Sequence, residues 1–210
     1  MGEFSVAGRR VVVVGGARSG RAAALLLARR GARVVVADLR SQLEDAAPLA
    51  AAGVTLELGE HRPESFRAAD LIVVSPGVPL RQPALDAARA AGVPIIGELE
   101  LAWRWLRGRT IAVTGTKGKS TTTTLLGRML AEGGYRVLVG GNIGLPLTAQ
   151  VDESTPETIH VVEASSFQLE TTVTFRPWIA VLLNFSPDHL DRHASVEEYA
   201  AAKARIFANQ

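Results

Sequence analysis

Residues 110–124, TIAVTGTKGKSTTTT, constrain this chain more than any other stretch. Ile111-Ala112-Val113 reads as an apolar strand. The turn Gly115-Thr116-Lys117-Gly118-Lys119-Ser120-Thr121 follows, leading into a helical segment from Leu125 to Glu132. A strand that feeds a glycine-bearing turn at a helix N-terminus gathers backbone N–H groups at the positive end of the helix dipole, a geometry that holds phosphate. Lys119 is then placed for β/γ-phosphate oxygens, and the Ser120 hydroxyl for Mg²⁺. Val113 stands where the full G-x-x-x-x-G-K-[ST] pattern has its first glycine, so an ordinary strand–turn–helix is the alternative.

Of 23 basic residues, all but Lys117, Lys119 and Lys203 are arginine. Arginine can be neither a compact point charge in a phosphate loop nor a neutral amine. Two of the three lysines lie in the turn, which singles out Lys203 as a site candidate against the alternative of a solvated surface residue. The 210 residues allow one large or two modest domains, with a core of Ala, Val and Leu rather than aromatics. A net charge of +2 without a basic run interleaved with aromatics argues against nucleic acid. No apolar stretch reaches the length of about 18 residues that a membrane span needs. Residues Met1–Phe4 lack a signal-peptide layout, and with zero Cys there is neither a disulfide nor a thiolate zinc site. A cytoplasmic enzyme is expected.

Residues 8 to 38 read as a βαβ unit. Val11–Val14 is a continuous apolar run, as in a strand buried on both faces. Gly15-Gly16-Ala17-Arg18-Ser19-Gly20 is the turn, Arg21–Arg30 the helix, and Arg33–Asp38 a second strand with an acid at its tip. Ala17 replaces the middle glycine of G-x-G-x-x-G, which lets a pyrophosphate approach the backbone. The turn is compatible with a nicotinamide dinucleotide, another nucleotide diphosphate, or no ligand. Glu44–Ala52 reads as a helix, Val54–Leu58 and Leu71–Val74 as strands, Pro83–Ala91 as a helix, Val93–Ile96 as a strand and Glu98–Leu106 as a helix. Ser75-Pro76-Gly77-Val78-Pro79 follows a strand end, where α/β sheets bind ligands, or simply turns the chain. The domains are expected at 1–93 and 109–210, with a linker at 94–108.

Arg136–Val139 reads as a strand before Gly140-Gly141-Asn142-Ile143-Gly144, and residues 152–158 as a loop. His160–Glu163 and Trp178–Leu183 are apolar strands that deliver polar groups at their tips: Glu163 from one, Asp188 and His189 after the other. Carboxylate and imidazole beside a phosphate loop suit Mg²⁺ held against ATP oxygens. Capping and turn chemistry are the bland alternatives for these acids. Val196–Phe207 is a helix carrying Lys203.

Together these motifs resemble the Mur ligases, ATP-dependent amino-acid ligases of peptidoglycan precursor synthesis. The resemblance runs through Gly115–Thr121, Gly141-Asn142-Ile143-Gly144, Glu163-Ala164-Ser165-Ser166-Phe167-Gln168-Leu169-Glu170 and Asp188-His189-Leu190-Asp191-Arg192-His193. The Ser-Ser-Phe-Gln-Leu-Glu run is similar to the D-glutamate-adding branch. The resemblance implies an α/β fold: a Rossmann-like N-terminal domain binding UDP-N-acetylmuramoyl-L-alanine, then a P-loop-type, mostly parallel ATP-binding domain that is truncated, with the C-terminal domain absent. It implies that Gly115, Thr116, Lys117, Gly118, Lys119, Ser120 and Thr121 bind ATP, with Lys119 on the γ-phosphate. Ser120 and Glu163 would ligate one Mg²⁺, and a carbamylated Lys203 with His189 a second. Arg18, Ser19, Asp38, Arg40 and Gly77 would cradle uracil and diphosphate, while Asn142, Ser165, Gln168 and His189 would meet the substrate. Leu39 departs from the small hydroxyl residue expected beside Asp38, and Lys117 from the commoner Asn.

The implied reaction is attack of the L-alanine carboxylate on the γ-phosphate, giving an acyl phosphate and ADP, then amide formation with D-glutamate. Lys119, Glu163, His189 and Lys203 would be its catalytic groups. A monomer is expected, without nucleic-acid or membrane partners, and the chain alone is expected to turn over little. Another Mur or folylpolyglutamate-type ligase and a non-catalytic UDP-sugar- or nucleotide-binding module are the alternatives. A P-loop kinase or GTPase fits less well, because it lacks a reason for the N-terminal nucleotide fold.

Overall fold

The computed structural model describes residues 4–210. Two compact units divide the chain, Met1–Leu101 and Ala102–Gln210.

The first unit is a five-stranded parallel sheet. Its elements are β1 (Arg10–Val14), α1 (Arg18–Arg29), β2 (Arg33–Asp38), α2 (Ala47–Ala51), β3 (Thr55–Leu58), α3 (Pro63–Arg67), β4 (Leu71–Val74), α4 (Pro83–Ala90) and β5 (Ile95–Gly97). Strand order is β3-β2-β1-β4-β5, so the chain reverses direction across the sheet between β1 and β4. Val11, Val12, Val13 and Val14 are fully buried, because helices cover both faces of a parallel sheet. One face packs Val12, Val14, Val35, Ile72 and Val74 against Phe66, Leu85 and Ala88. Each such Val, Leu, Ile or Phe side chain contributes about 1.5–3 kcal/mol on burial.

Helix α1 begins at Arg18, inside the expected turn. Gly20 is its third residue, and a Cβ there would collide with the Gly15 carbonyl oxygen. The turn therefore wraps tightly over the helix start. Helix α2 is shorter than the expected 44–52. Asp45 adopts a left-handed φ of 52°, and the Arg21 guanidinium bonds Asp45 Oδ2 at 2.9 Å and the Glu44 carbonyl at 3.1 Å. These tertiary contacts take 44 and 45 out of the helix. Helix α3 was not expected; Pro63 starts it and Phe66 anchors it in the core.

Residues 94–108, expected as a linker between domains that carries the strand at 93–96 and the helix at 98–106, contain β5 and then α5 (Glu98–Trp103). Strand β5 pairs with β4 and completes the first sheet, which is why this stretch is structured.

The second unit comprises β6 (Arg109–Thr114), α6 (Lys119–Glu132), β7 (Val137–Gly141), two 3₁₀ turns at Leu147–Ala149 and Val151–Glu153, β8 (Ile159–Glu163), α7 (Ser166–Leu169), β9 (Ile179–Leu182), α8 (Val196–Ala204) and a 3₁₀ turn at Arg205–Phe207. Its four strands are parallel, in the order β7-β8-β6-β9. Helix α6 packs Leu126 and Leu130 on Ile111, Ile159 and Val161. It starts six residues earlier than the expected Leu125. The β-branched run Thr121–Thr124 has weak helix propensity. Tertiary packing outweighs that: Thr123 is fully buried, and Gly118, at φ 81°, breaks the chain just before the helix. The expected loop at 152–158 contains part of the second 3₁₀ turn.

Candidate functional site

In the first unit, the turn after β1 and the loop after β4 sit at the carboxyl ends of adjacent strands where strand order reverses. Ligands of open α/β sheets bind in that crevice. Ser75 Oγ donates to the Gly15 carbonyl at 2.9 Å and ties the two loops together. The Val78 amide donates to Ser75 O at 3.0 Å, closing the turn that contains Gly77. Asp38, at the tip of β2, accepts from the Gly16 amide at 2.7 Å and from the Arg40 amide and Nε at 2.9 Å each. Arg40 Nη2 donates to its other oxygen at 2.7 Å. The Arg40 guanidinium thus holds the Asp38 carboxyl well below the usual carboxylate range, against the opposing effect of burial. Asp38 and Arg40 meet; Arg18 and Ser19 open α1, and Leu39 points to solvent.

In the second unit, the strand tips again bring the candidates together. Ser120, in the first turn of α6, donates its hydroxyl to Glu163 Oε2 at 2.7 Å. Asn142, just past β7, donates Nδ2 to Glu163 Oε1 at 2.7 Å and its amide to the Glu163 carbonyl at 2.9 Å. Glu163 is 1% exposed, and no cationic side chain among the described residues pairs with it. A buried carboxylate without a counter-charge is costly. Hydroxyl and carboxylate oxygens side by side are donors that a hard divalent cation takes. The residues at this point therefore fit Mg²⁺. Among the described residues, no three His, Cys, Asp or Glu side chains converge as a ready metal cluster.

Lys119, which opens α6, and Lys203, on α8, both lie against carbonyls of the loop. Lys119 Nζ donates to Thr116 O at 3.0 Å, and Lys203 Nζ to Gly115 O at 2.7 Å. Lys203 is 2% exposed, with its Nζ 4.6 Å from the centroid of the Tyr199 ring. Burial, with the Lys119 charge acting in the same direction and Asp188 opposing, pushes the Lys203 amine down to about 8. Not every loop amide faces a ligand: those of Thr116 and Lys117 bond the Asn184 side chain.

His189 sits in a strained turn, with φ 52°, and its ring is edge-on to Phe167 at 5.1 Å and 6.1 Å from Tyr199. The turn closes where the Arg192 and His193 amides donate to His189 O, each at 3.0 Å. His193, 1% exposed, places Nε2 3.0 Å from Ser166 Oγ and Nδ1 2.9 Å from Glu170 Oε1. Burial holds its imidazole below the usual value. Ser165 and Gln168 engage each other: Ser165 Oγ accepts from the Gln168 amide at 3.2 Å, while Gln168 Oε1 accepts from the Ser165 amide at 3.0 Å. That reciprocal cap starts α7.

Three groups in this region carried no individual assignment from sequence: Tyr199, Asn184 and His193. Tyr199 lies one turn before Lys203 on α8, a spacing that could have marked it. Its hydroxyl is 3.3 Å from Thr116 Oγ1. His193 was visible only as a member of a longer run, and Asn184 lay unmarked just past the expected strand Trp178–Leu183.

Residues 9–97 match the N-terminal domain of Mur ligases of the MurD-like type, and residues 113–210 the Mur ligase middle domain. UDP-N-acetylmuramoylalanine–D-glutamate ligase of Acidobacterium capsulatum is 56% identical over 97% of this chain and 45% of its own length. The enzyme of that name from Koribacter versatilis is 52% identical over 99% of this chain and 46% of its own. The chain spans about half the length of these curated relatives. In fold, it resembles the UDP-N-acetylmuramate:L-alanyl-gamma-D-glutamyl-meso-diaminopimelate ligase of Neisseria meningitides, with TM-score 0.62 and 20% identity over 97% of this chain and 68% of that one. UDP-N-acetylmuramate–alanine ligase of Thermotoga maritima gives TM-score 0.57 at 25% identity over 94% and 46%. With two adjoining domain matches in the family's order and these relatives at more than half identity, the chain belongs to the Mur ligase family.

Proposed function

We propose that this chain provides the uridine-nucleotide and ATP sites of a cytoplasmic ligase that joins D-glutamate to UDP-N-acetylmuramoyl-L-alanine during peptidoglycan precursor synthesis. The first unit takes the uridine diphosphate at the crevice between the β1 turn and the β4 loop. Arg18, Ser19, Gly77 and the paired Asp38 and Arg40 line it. The second unit takes ATP on the turn Gly115–Thr121. Asn142, Ser165, Gln168 and His189 face the muramoyl-alanine end. The observation that supports this best is the meeting of Ser120, Glu163 and Asn142 beside Lys119, at the adjoining ends of β6, β7 and β8.

Ser120 and Glu163 would hold one Mg²⁺, and His189 with a carbamate on Lys203 a second; bound there, the ions neutralise phosphate oxygens. The lowered affinity of Lys203 for its proton raises the share of neutral amine, the form that reacts with CO₂, and Arg could not substitute. Lys119, released from Thr116 O, offers its ammonium to the γ-phosphate. The substrate carboxylate attacks that phosphorus, ADP leaves, and the D-glutamate amine displaces phosphate from the acyl phosphate. Catalysis of this kind comes from positioned charge rather than a protein nucleophile. The ring packing of Phe167, His189 and Tyr199 fixes the imidazole beside the loop.

Calorimetric titration of the chain with UDP-N-acetylmuramoyl-L-alanine, UDP and NADH, and with MgATP before and after Lys119→Ala, tests this. Uridine ligands should bind and NADH should not, and the substitution should weaken MgATP by about 10-fold or more, as loss of a charge-assisted contact does. NADH binding, or MgATP affinity indifferent to Lys119, refutes the reading.

A further inference from the structure

Thr116 N donates to both the carbonyl and Oδ1 of Asn184, each at 3.2 Å. Lys117 N donates to the same Oδ1 at 3.0 Å, and Asn184 Nδ2 donates back to Lys117 O at 3.0 Å. One carboxamide therefore pairs with the Lys117 backbone in both directions, as a neighbouring strand would. Asn184 lies two residues past β9, following Leu183, whose amide bonds Thr114 O at 3.0 Å. Gly115 makes the approach possible. At φ +149°, its Cβ position would lie 3.2 Å from Leu183 Cβ and 3.4 Å from Asn184 N and O. Thr116 Oγ1 extends the contact by accepting from the Ser186 amide and donating to the Ser186 carbonyl, both at 3.0 Å.

We propose that Asn184 is a positioning residue for the phosphate loop: it holds the Thr116–Lys117 tip in place, so that a triphosphate is gripped from Gly118 onward. The inference rests on the ATP reading above. Donors already satisfied by protein have no unmet demand to be filled by phosphate. The first-turn amides of α6 have no helical acceptor and remain the natural anion donors. A loop held before the nucleotide arrives loses less conformational freedom on binding, and that difference appears as affinity. The same clamp ties the loop to the segment that carries His189.

Amide hydrogen exchange on the ligand-free chain, paired with MgATP titration, tests the clamp. In Asn184→Ala, exchange at Lys117 should accelerate about 10-fold or more, while Thr116, which keeps the Asn184 carbonyl, and the β6 and β8 amides change little, and MgATP binding should weaken about 10- to 100-fold. Asn184→Asp keeps the acceptor for both amides but loses the donor and adds a charge. Its exchange should stay near wild type while MgATP still weakens. Unchanged exchange in the alanine variant, or unchanged MgATP affinity despite faster exchange, overturns the clamp. Should the alanine variant fail to fold, wild-type exchange and affinity in the aspartate variant overturn it. Wild-type chain that binds no MgATP refutes the ATP reading itself, a result distinct from these.

Discussion

Replacing Glu163 by glutamine should separate the stability of the second unit from its capacity for a divalent cation. The carboxylate is 1% exposed and receives two neutral donors at 2.7 Å, Ser120 Oγ and Asn142 Nδ2, with no positive partner among the described residues. Glutamine has nearly the same shape. Its oxygen can keep the Asn142 bond, while its amide hydrogen meets the Ser120 oxygen after the hydroxyl turns. All four polar groups stay paired and the buried charge is gone. The ligand-free variant should therefore be as stable as wild type or more so, by up to about 2 kcal/mol. For a chain of this size, each kcal/mol moves the melting midpoint by about 2–4 °C, so a rise of up to about 8 °C is expected. Wild type should be stabilised in turn by the cation, by about 2.7 kcal/mol at 100 times its Kd, or about 5–11 °C. Glu163→Gln should lose that increment. Thermal melts with MgCl₂ titrated at constant ionic strength read both effects. A variant that melts several degrees below wild type without Mg²⁺, or that keeps the Mg²⁺-dependent rise, refutes the reasoning.

His160 is fully buried on β8, bonded to Ser154 Oγ at 2.8 Å, and burial pushes its imidazole from 6.5 down to about 4. The unfolded chain takes up this proton first, so the stabilisation is complete above about pH 6.5 and falls away toward pH 4, by about 3 kcal/mol. Urea unfolding at pH 7 and 4.5 should show a loss that His160→Gln largely removes; an equal loss in both proteins would contradict it. Asp38→Asn cannot accept the two guanidinium bonds together with the Gly16 and Arg40 amides, so UDP should bind about 10-fold more weakly by calorimetry. Unchanged UDP affinity removes Asp38 from the site.

The alternation of apolar runs and glycine turns made the parallel α/β architecture and most strands legible, because a strand covered on both faces must be apolar throughout. The strand-tip positions of Lys119 and Glu163 were legible for the same reason. The start of α6 was not. Thr121–Thr124 are poor helix formers by local preference, and only the buried packing of Thr123 and the Gly118 turn overrule that preference. The strand and helix within residues 94–108 were legible, but not that the strand pairs with β4 and closes the first sheet, because composition does not reveal pairing partners.

By itself, the sequence determined where the chain could bend, which stretches had to be buried, and where its three lysines could act. Those properties are local, set by glycine, side-chain polarity and spacing. Which groups satisfy which was decided by tertiary structure alone. Asn142 and Ser120, 21 and 43 residues from Glu163, meet its two oxygens. Asn184, 67 residues away, holds Lys117. Lys203, 88 residues away, meets the Gly115 carbonyl. Parallel strand order brings their tips to one edge, and no local preference encodes a hydrogen bond across that distance.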